Sequence, residues 1–298
     1  GKTVVKEWLY QLLSPSMHVT RSPRSYNSQV GVPLSVWLLD EHSQVGVFEA
    51  GISQPGEMQA LRAIVQPTIG VMTNIGPAHQ ENFATLEEKC HEKLELMRDA
   101  ELLVCCADDE ATRSCLEAAP PKGRLLAWSM KDASAPLFVE EVVKEGEGAR
   151  IRYTYRRQQA EMHIPFSDDA SVRNCIHCLA VCLALKLEPA DIARRMERLE
   201  PVAMRLEVVQ GVRGCTVIND AYNSDVASLD IALDFMNRRP ELGERPKALI
   251  LSDMLQTGLE PDVLYGKVAQ MLERRGIDRL IGVGEEITAA QACFGMAK

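Results

Sequence analysis

The uncharged run Thr68-Ile69-Gly70-Val71-Met72-Thr73 constrains this chain most. Pro67 precedes it and Gly76-Pro77 follows closely, which predicts a buried strand ending in a tight turn. Thr85 and Glu88 then form a T-x-x-E capping box that opens a helix, with Leu86, Cys90, Leu94 and Met97 as its buried face. Strand, turn and helix in that order make a βα unit, and the pattern recurs. Val45–Phe48 precedes a helix carrying Met58, Leu61 and Ile64, and Leu102–Cys106 precedes the helix Glu110–Ala118 and the strand Leu125–Trp128. This alternation predicts an α/β fold with a doubly wound parallel sheet. Leu137–Val143, Arg150–Tyr155 and Ala160–Phe166 are joined by short turns, which predicts an appended antiparallel meander. Two helices follow, Ser171–Leu187 and Ala190–Leu199. Glu200-Pro201 is the expected boundary between a domain of residues 1–200 and one of residues 201–298. In the second, strands at Arg205–Gln210, Cys215–Asn219, Lys247–Leu251 and Arg279–Val283 interleave with helices at Ser228–Met236 and Val263–Arg275, a Rossmann-like pattern.

Charge and cysteine usage narrow the class. A net charge of −9 over 298 residues argues against a general binder of nucleic acid or anionic membranes. There is no apolar run of the length a membrane span needs and no signal-peptide core. Nine cysteines, an odd number scattered through apolar segments, point to a reducing compartment and a cytoplasmic protein. Cys175, Cys178 and Cys182 fall inside a helical apolar pattern without a second C-x-x-C, so they read as core thiols rather than metal ligands.

The chemistry-bearing candidates lie at the ends of the βα units. Gly1-Lys2-Thr3 opens an amphipathic helix carrying Val5, Trp8, Leu9 and Leu12. G-K-[ST] at a helix start is the tail of a P-loop, where helix N–H groups hold phosphate, the lysine reaches the β- and γ-phosphates and the hydroxyl binds Mg²⁺. The chain begins inside this motif, so it is expected to be a fragment, with the glycine-rich half upstream and weak ATP binding on its own. Glu49 ends a strand beside that loop, well placed for Mg²⁺. Asn74 and His79 follow the 68–73 strand, where open α/β sheets hold ligands. Each residue also has a bland reading: a chance tripeptide, an exposed loop glutamate, a turn histidine and, for Lys93, a solvated helix lysine.

Taken together, these pieces resemble the Mur ligases of bacterial cell-wall synthesis over nearly all of the chain. Glu49-Ala50-Gly51 fits the family's E-x-G, Asn74 to His79 its N-x-x-x-x-H, and Lys93-Leu94-Glu95 its K-x-E. The resemblance implies that Thr3, Glu49, His79 and a carbamylated Lys93 serve the metal ions. It also implies that Lys2, His79 and Lys93 serve catalysis, and that Gly1, Lys2 and Thr3 hold phosphate. Asn174 and His177 match the adenine-contacting N-x-x-N, with His for the second Asn. Arg205 and the D-x-Y-N run Asp220, Tyr222 and Asn223 would reach ATP from the second domain. Ser252-Asp253-Met254 resembles a G-D-M strand end.

The segments 25–36 and 49–58 most resemble the branch of the family that adds D-alanyl-D-alanine to UDP-N-acetylmuramoyl-tripeptide, some members of which are fused to an alanine racemase. The implied activity is ATP- and Mg²⁺-dependent amide-bond formation through an acyl phosphate, releasing ADP. Alternatives stay open: another Mur ligase, a folylpolyglutamate-synthase-like ligase, a P-loop switch (without the N-K-x-D box of guanine readers), or a non-catalytic nucleotide-binding module. The amine substrate separates the ligases, and nucleotide binding separates them from the last.

Overall fold

A computed structural model of the chain describes residues 1–75, 83, 85–221, 224–239, 242–243, 245–255 and 257–295. Packing divides it into two compact units, the first ending at Glu200 and the second beginning at Pro201.

The first unit opens with α1 (Lys2–Leu13), β1 (Val19–Arg21), α2 (Gly31–Val36), β2 (Val45–Val47) and α3 (Glu57–Val65). It continues with β3 (Ile69–Met72), α4 (Leu86–Glu95), β4 (Leu102–Cys106), α5 (Glu110–Ala118) and β5 (Arg124–Ser129). The meander is β6 (Leu137–Glu145), β7 (Gly148–Tyr155) and β8 (Gln158–Ile164), followed by α6 (Asp169–Ala184) and α7 (Pro189–Met196). Strands β3 to β8 form one six-stranded sheet in sequence order. It is parallel from β3 to β6 and antiparallel from β6 to β8. β1 and β2 make a separate parallel pair.

The two halves of the sheet bury their residues differently. Every residue of β4 is buried, because α5 and α6 both pack on it and a covered parallel strand has no polar face. β7 alternates instead: Ala149, Ile151 and Tyr153 are buried, while Arg150 and Arg152 pair with Glu145, Glu161 and Glu140 on the outer side. Cys175, Cys178 and Cys182 are fully buried on α6, as core thiols should be. Each apolar side chain so buried contributes about 1.5–3 kcal/mol.

α1 packs on α6 and α7 and fixes the end of the unit. Trp8 stacks on Phe166 at 4.7 Å between ring centroids, and its Nε1–H donates to the Glu200 carbonyl at 3.0 Å. Gln11 donates to the same carbonyl at 3.4 Å and accepts the Glu200 N–H at 2.9 Å.

The second unit contains β9 (Glu207–Gln210), β10 (Thr216–Asn219), α8 (Val226–Asn237), β11 (Ala248–Ser252), α9 (Pro261–Arg274), β12 (Arg279–Val283) and α10 (Glu285–Ala289). β9 and β10 are antiparallel, and β11 and β12 are parallel across α9. Leu229, Leu233, Leu251, Tyr265, Val268 and Leu272 form its core. Asp253, in the G-D-M-like segment, caps α10: its carboxylate accepts the N–H groups of Ile287 at 2.9 Å and Glu286 at 3.2 Å. Gly284 is needed beside it, since its φ is 133° and a Cβ there would lie 2.3 Å from the Asp253 carboxylate.

Two elements differ from the sequence expectation for identifiable reasons. β9 begins at Glu207 rather than Arg205, because Met204 and Leu206 take left-handed φ values of 58° and 51°. α4 ends at Glu95, before Met97, and buries Lys89 and Cys90 while Leu86 and Leu94 are only partly covered.

Candidate active site

The site forms where the start of α1 meets the end of β3. Gly1 caps α1, and a Cβ on Gly1 would lie 3.0 Å from Asn74 Oδ1 and 3.3 Å from Thr73 Oγ1. The helix start therefore sits directly against the residues that leave β3. Thr3 is buried and Lys2 exposed. N–H groups of a first helical turn have no partners inside the helix and favour anions.

α4 brings two more cations to this place. Lys93 Nζ makes a long 3.5 Å contact with the Asn74 carbonyl. Burial, then the charges of Lys2 and Lys89, pushes Lys93 down to about 7. It is therefore not the freely solvated lysine of the bland reading. Lys89, one helical turn earlier, is only 1% exposed, and burial followed by the Lys2 charge lowers it as well. Lys93 thus feels the charges of Lys2 and Lys89, and a multiply charged anion such as a polyphosphate would relieve that repulsion.

The same unit also buries a carboxylate, that of Glu49. It is 5% exposed. Its N–H donates to Ser22 Oγ at 3.2 Å, and its Oε1 accepts from Asn27 Nδ2 at 2.9 Å. Asn27 is fixed in turn, its carbonyl accepting the Gly51 N–H at 2.7 Å. The second oxygen, Glu49 Oε2, is buried and has no hydrogen-bond partner among the described residues. An orphaned buried carboxylate oxygen costs stability, and a cation would satisfy it. Among the described residues no three His, Cys, Asp or Glu side chains converge as a metal cage. Mg²⁺ beside phosphate needs none, since it takes one or two protein oxygens and keeps its waters. The Glu49 carboxylate and the Thr3 hydroxyl are donors of that kind. His79, Tyr222 and Asn223 lie outside the described residues.

The adenine expectation for α6 needs one correction. Asn174 and His177 are both buried, but His177 does not offer its ring to a ligand. Trp128 Nε1–H donates to His177 Nδ1 at 3.1 Å, and His177 Nε2 lies 3.0 Å from the Thr73 carbonyl. With both nitrogens engaged inside the protein, only Asn174 remains of the pair. In the second unit Arg205 and Asp220 are neighbours. Asp220 Oδ1 accepts the Leu206 N–H at 3.2 Å, and burial raises the Asp220 carboxyl despite this bond and the Arg205 charge.

Sequence reasoning passed over Asn27, Ser22 and Lys89. Asn27 lies in the 25–36 segment already singled out, and Lys89 precedes Lys93 by the four residues that put both on one helix face.

Comparison with known proteins identifies relatives over nearly the whole chain. The chain is 25% identical over 291 residues to the UDP-N-acetylmuramoyl-tripeptide–D-alanyl-D-alanine ligase of Bacillus subtilis, covering 96% of this chain and 61% of that protein. It is 30% identical over 261 residues to the ligase of the same name from Treponema pallidum, covering 87% and 54%. The chain thus spans less than two thirds of the length of these relatives. A crystal structure of MurF from Acinetobacter baumannii superposes with a TM-score of 0.86 at 24% identity, covering all of this chain and 64% of that one. This likeness extends the shared fold over both units. Residues 1–182, which carry the α1 start, Glu49, Lys93 and Asn174, match the Mur ligase middle domain, and the chain therefore belongs to the Mur ligase family.

Proposed function

We propose that the protein of which this chain is part is an ATP-dependent, ADP-forming ligase. It would join D-alanyl-D-alanine to UDP-N-acetylmuramoyl-tripeptide in the cytoplasm, for peptidoglycan synthesis. The observation that carries the reading is the orphaned oxygen of Glu49 in a unit that also gathers Lys2, Lys89 and Lys93. The same unit thus holds a carboxylate for a metal ion and cations for phosphate. The names of the Bacillus and Treponema relatives support the substrate pair. Among the described residues no helix is long and apolar enough to cross a membrane.

In this reading the substrate carboxylate attacks the γ-phosphate and ADP leaves. The amine then attacks the acyl phosphate and phosphate leaves. Such transfer depends on positioning and on neutralising charge. The α1 N–H groups and Lys2 hold phosphate oxygens. Thr3 and Glu49 would hold Mg²⁺, which would supply positive charge to offset that of the phosphates. Lys93, converted by CO₂ to a carbamate with loss of a proton, would be an anion on the metal side, and His79 is assigned beside it as a neutral ligand on the motif match. Asn174 serves the adenine. Arg205, Asp220 and Asn223 are assigned to the nucleotide on the motif match.

The test is phosphate release by the intact enzyme. Release should require ATP, the UDP-linked tripeptide and D-alanyl-D-alanine together. Preference for a single amino acid would move the assignment to another Mur ligase. Preference for glutamate with a folate acceptor would remove it from wall synthesis.

A further inference from the structure

His177 occupies a motif position read as a ligand contact, yet it is 1% exposed and turned into the sheet. Its partners define its protonation. An indole N–H can only donate, so Nδ1, which meets Trp128 Nε1 at 3.1 Å, carries no proton. Nε2 carries it and donates to the Thr73 carbonyl at 3.0 Å. The Trp128 and His177 rings meet edge-on, 5.1 Å between centroids at 79°, which leaves the imidazole little freedom to flip. Burial, with Arg173 as the nearby side-chain cation, holds the ring down to about 4, so it stays neutral in this tautomer near pH 7.

The anchored carbonyl has consequences at the site. Thr73 immediately precedes Asn74. The Asn74 side chain lies against Gly1 at the phosphate-binding helix start, and its carbonyl meets Lys93 Nζ. Among the described residues β3 pairs in this sheet with β4 alone, so no second strand among them holds the end of β3. The ring of His177 reaches that end from α6.

We infer that His177 is a positioning residue. Through its Nε2–H bond to the Thr73 carbonyl, backed by Trp128 on Nδ1, it fixes where Asn74 stands between the helix start and Lys93. It touches no nucleotide. This inference rests on the ligase reading for its kinetic arm only.

The two ring nitrogens can be mimicked separately. Glutamine places an amide N–H near the Nε2 position and can still donate to Thr73. Asparagine reaches only the Nδ1 position and can still accept from Trp128. In the intact enzyme, His177→Gln should keep kcat for phosphate release within about 3-fold. His177→Asn and His177→Ala should lose 10- to 100-fold in kcat, with the KM for ATP moving less than 3-fold. A lost adenine contact would instead raise that KM.

Substrate-free ¹⁵N NMR is the second arm. It should show the Nε2–H tautomer, unchanged from pH 8 to pH 5, in the wild type. The Asn74 side-chain amide signals should shift in His177→Ala and His177→Asn but not in His177→Gln. Thermal denaturation identifies a variant that has simply unfolded. The inference is overturned by an Nδ1–H tautomer, by Asn74 signals that ignore all three variants, or by a folded His177→Gln enzyme as slow as His177→Ala. If the wild type releases no phosphate with any amine, the ligase reading fails and the NMR arm still decides the role of His177.

Discussion

Replacing Lys93 by Met tests the electrostatics of the site without any substrate. Lys93 titrates at about 7 in the folded chain against an ordinary 10.5. The unfolded chain therefore binds more protons than the folded one between these two values, and stability rises with pH across that window. Below pH 7 both states carry the proton and the full penalty is present. At about 1.4 kcal/mol per pH unit, the whole shift is worth at most about 5 kcal/mol. Between pH 7 and pH 9 the wild type should gain about 2 kcal/mol from this one group, and partial access of water reduces the gain toward about 1 kcal/mol. Met keeps the length and apolar stem of the side chain without the charge. Lys93→Met should thus be more stable than the wild type at pH 7, and its advantage should shrink by pH 9. The assay is urea unfolding in CO₂-free buffer, so that no carbamate forms. All three tryptophans, Trp8, Trp37 and Trp128, lie in the first unit, so their fluorescence reports that unit alone. Parallel pH profiles for the two proteins would refute the idea that Lys93 is held below its ordinary range.

Three further outcomes follow from named contacts. Glu49→Gln removes the charge of the orphaned oxygen: phosphate release by the intact enzyme should fall at least about 100-fold, while the melting temperature stays level or rises, as calorimetry can show. Asn27→Ala takes away the Nδ2 donor to Glu49 Oε1 and should cost about 1–3 kcal/mol in urea unfolding read by tryptophan fluorescence. Gly123→Ala would place a Cβ 2.1 Å from the Ala100 carbonyl oxygen. Backbone cannot yield as a side chain can, so a loss of about 3 kcal/mol is expected by the same measurement.

The parts of the fold that were legible are those set by local chemistry. The Thr85 cap accepts the Glu88 N–H at 3.1 Å, and α5 runs from Glu110 to Ala118 as its pattern implies, with Asp109 as its cap. β4 reads as a strand because its apolar run is continuous and short. What was not legible depends on rotation and depth. Nothing in the letter sequence says that α6 turns His177 toward β3 and β5 rather than outward. A lysine defaults to the surface, so Lys89 was overlooked although its spacing from Lys93 pointed at it. The start of β9 shifted because left-handed backbone at Met204 and Leu206 involves residue types that rarely adopt it. In the site, Glu49 could be nominated from its place at a strand end, but its unpaired oxygen emerged only once Asn27 and Ser22 were placed around it.

The clamp of Trp8 and Gln11 on Glu200 bears on how such chains can be spliced. An inserted residue ahead of Glu200 would slide a different peptide under the indole and strand a buried N–H, a loss of about 1–3 kcal/mol. After Pro201 the backbone owes nothing to that clamp, and the connector can lengthen for only a few tenths of a kcal/mol of added loop entropy. Insertions and deletions should therefore accumulate downstream of Pro201 and stay rare upstream of it. A chimaera that exchanges second units between relatives should likewise keep its parental stability when cut at Pro201, and lose it when cut a few residues earlier.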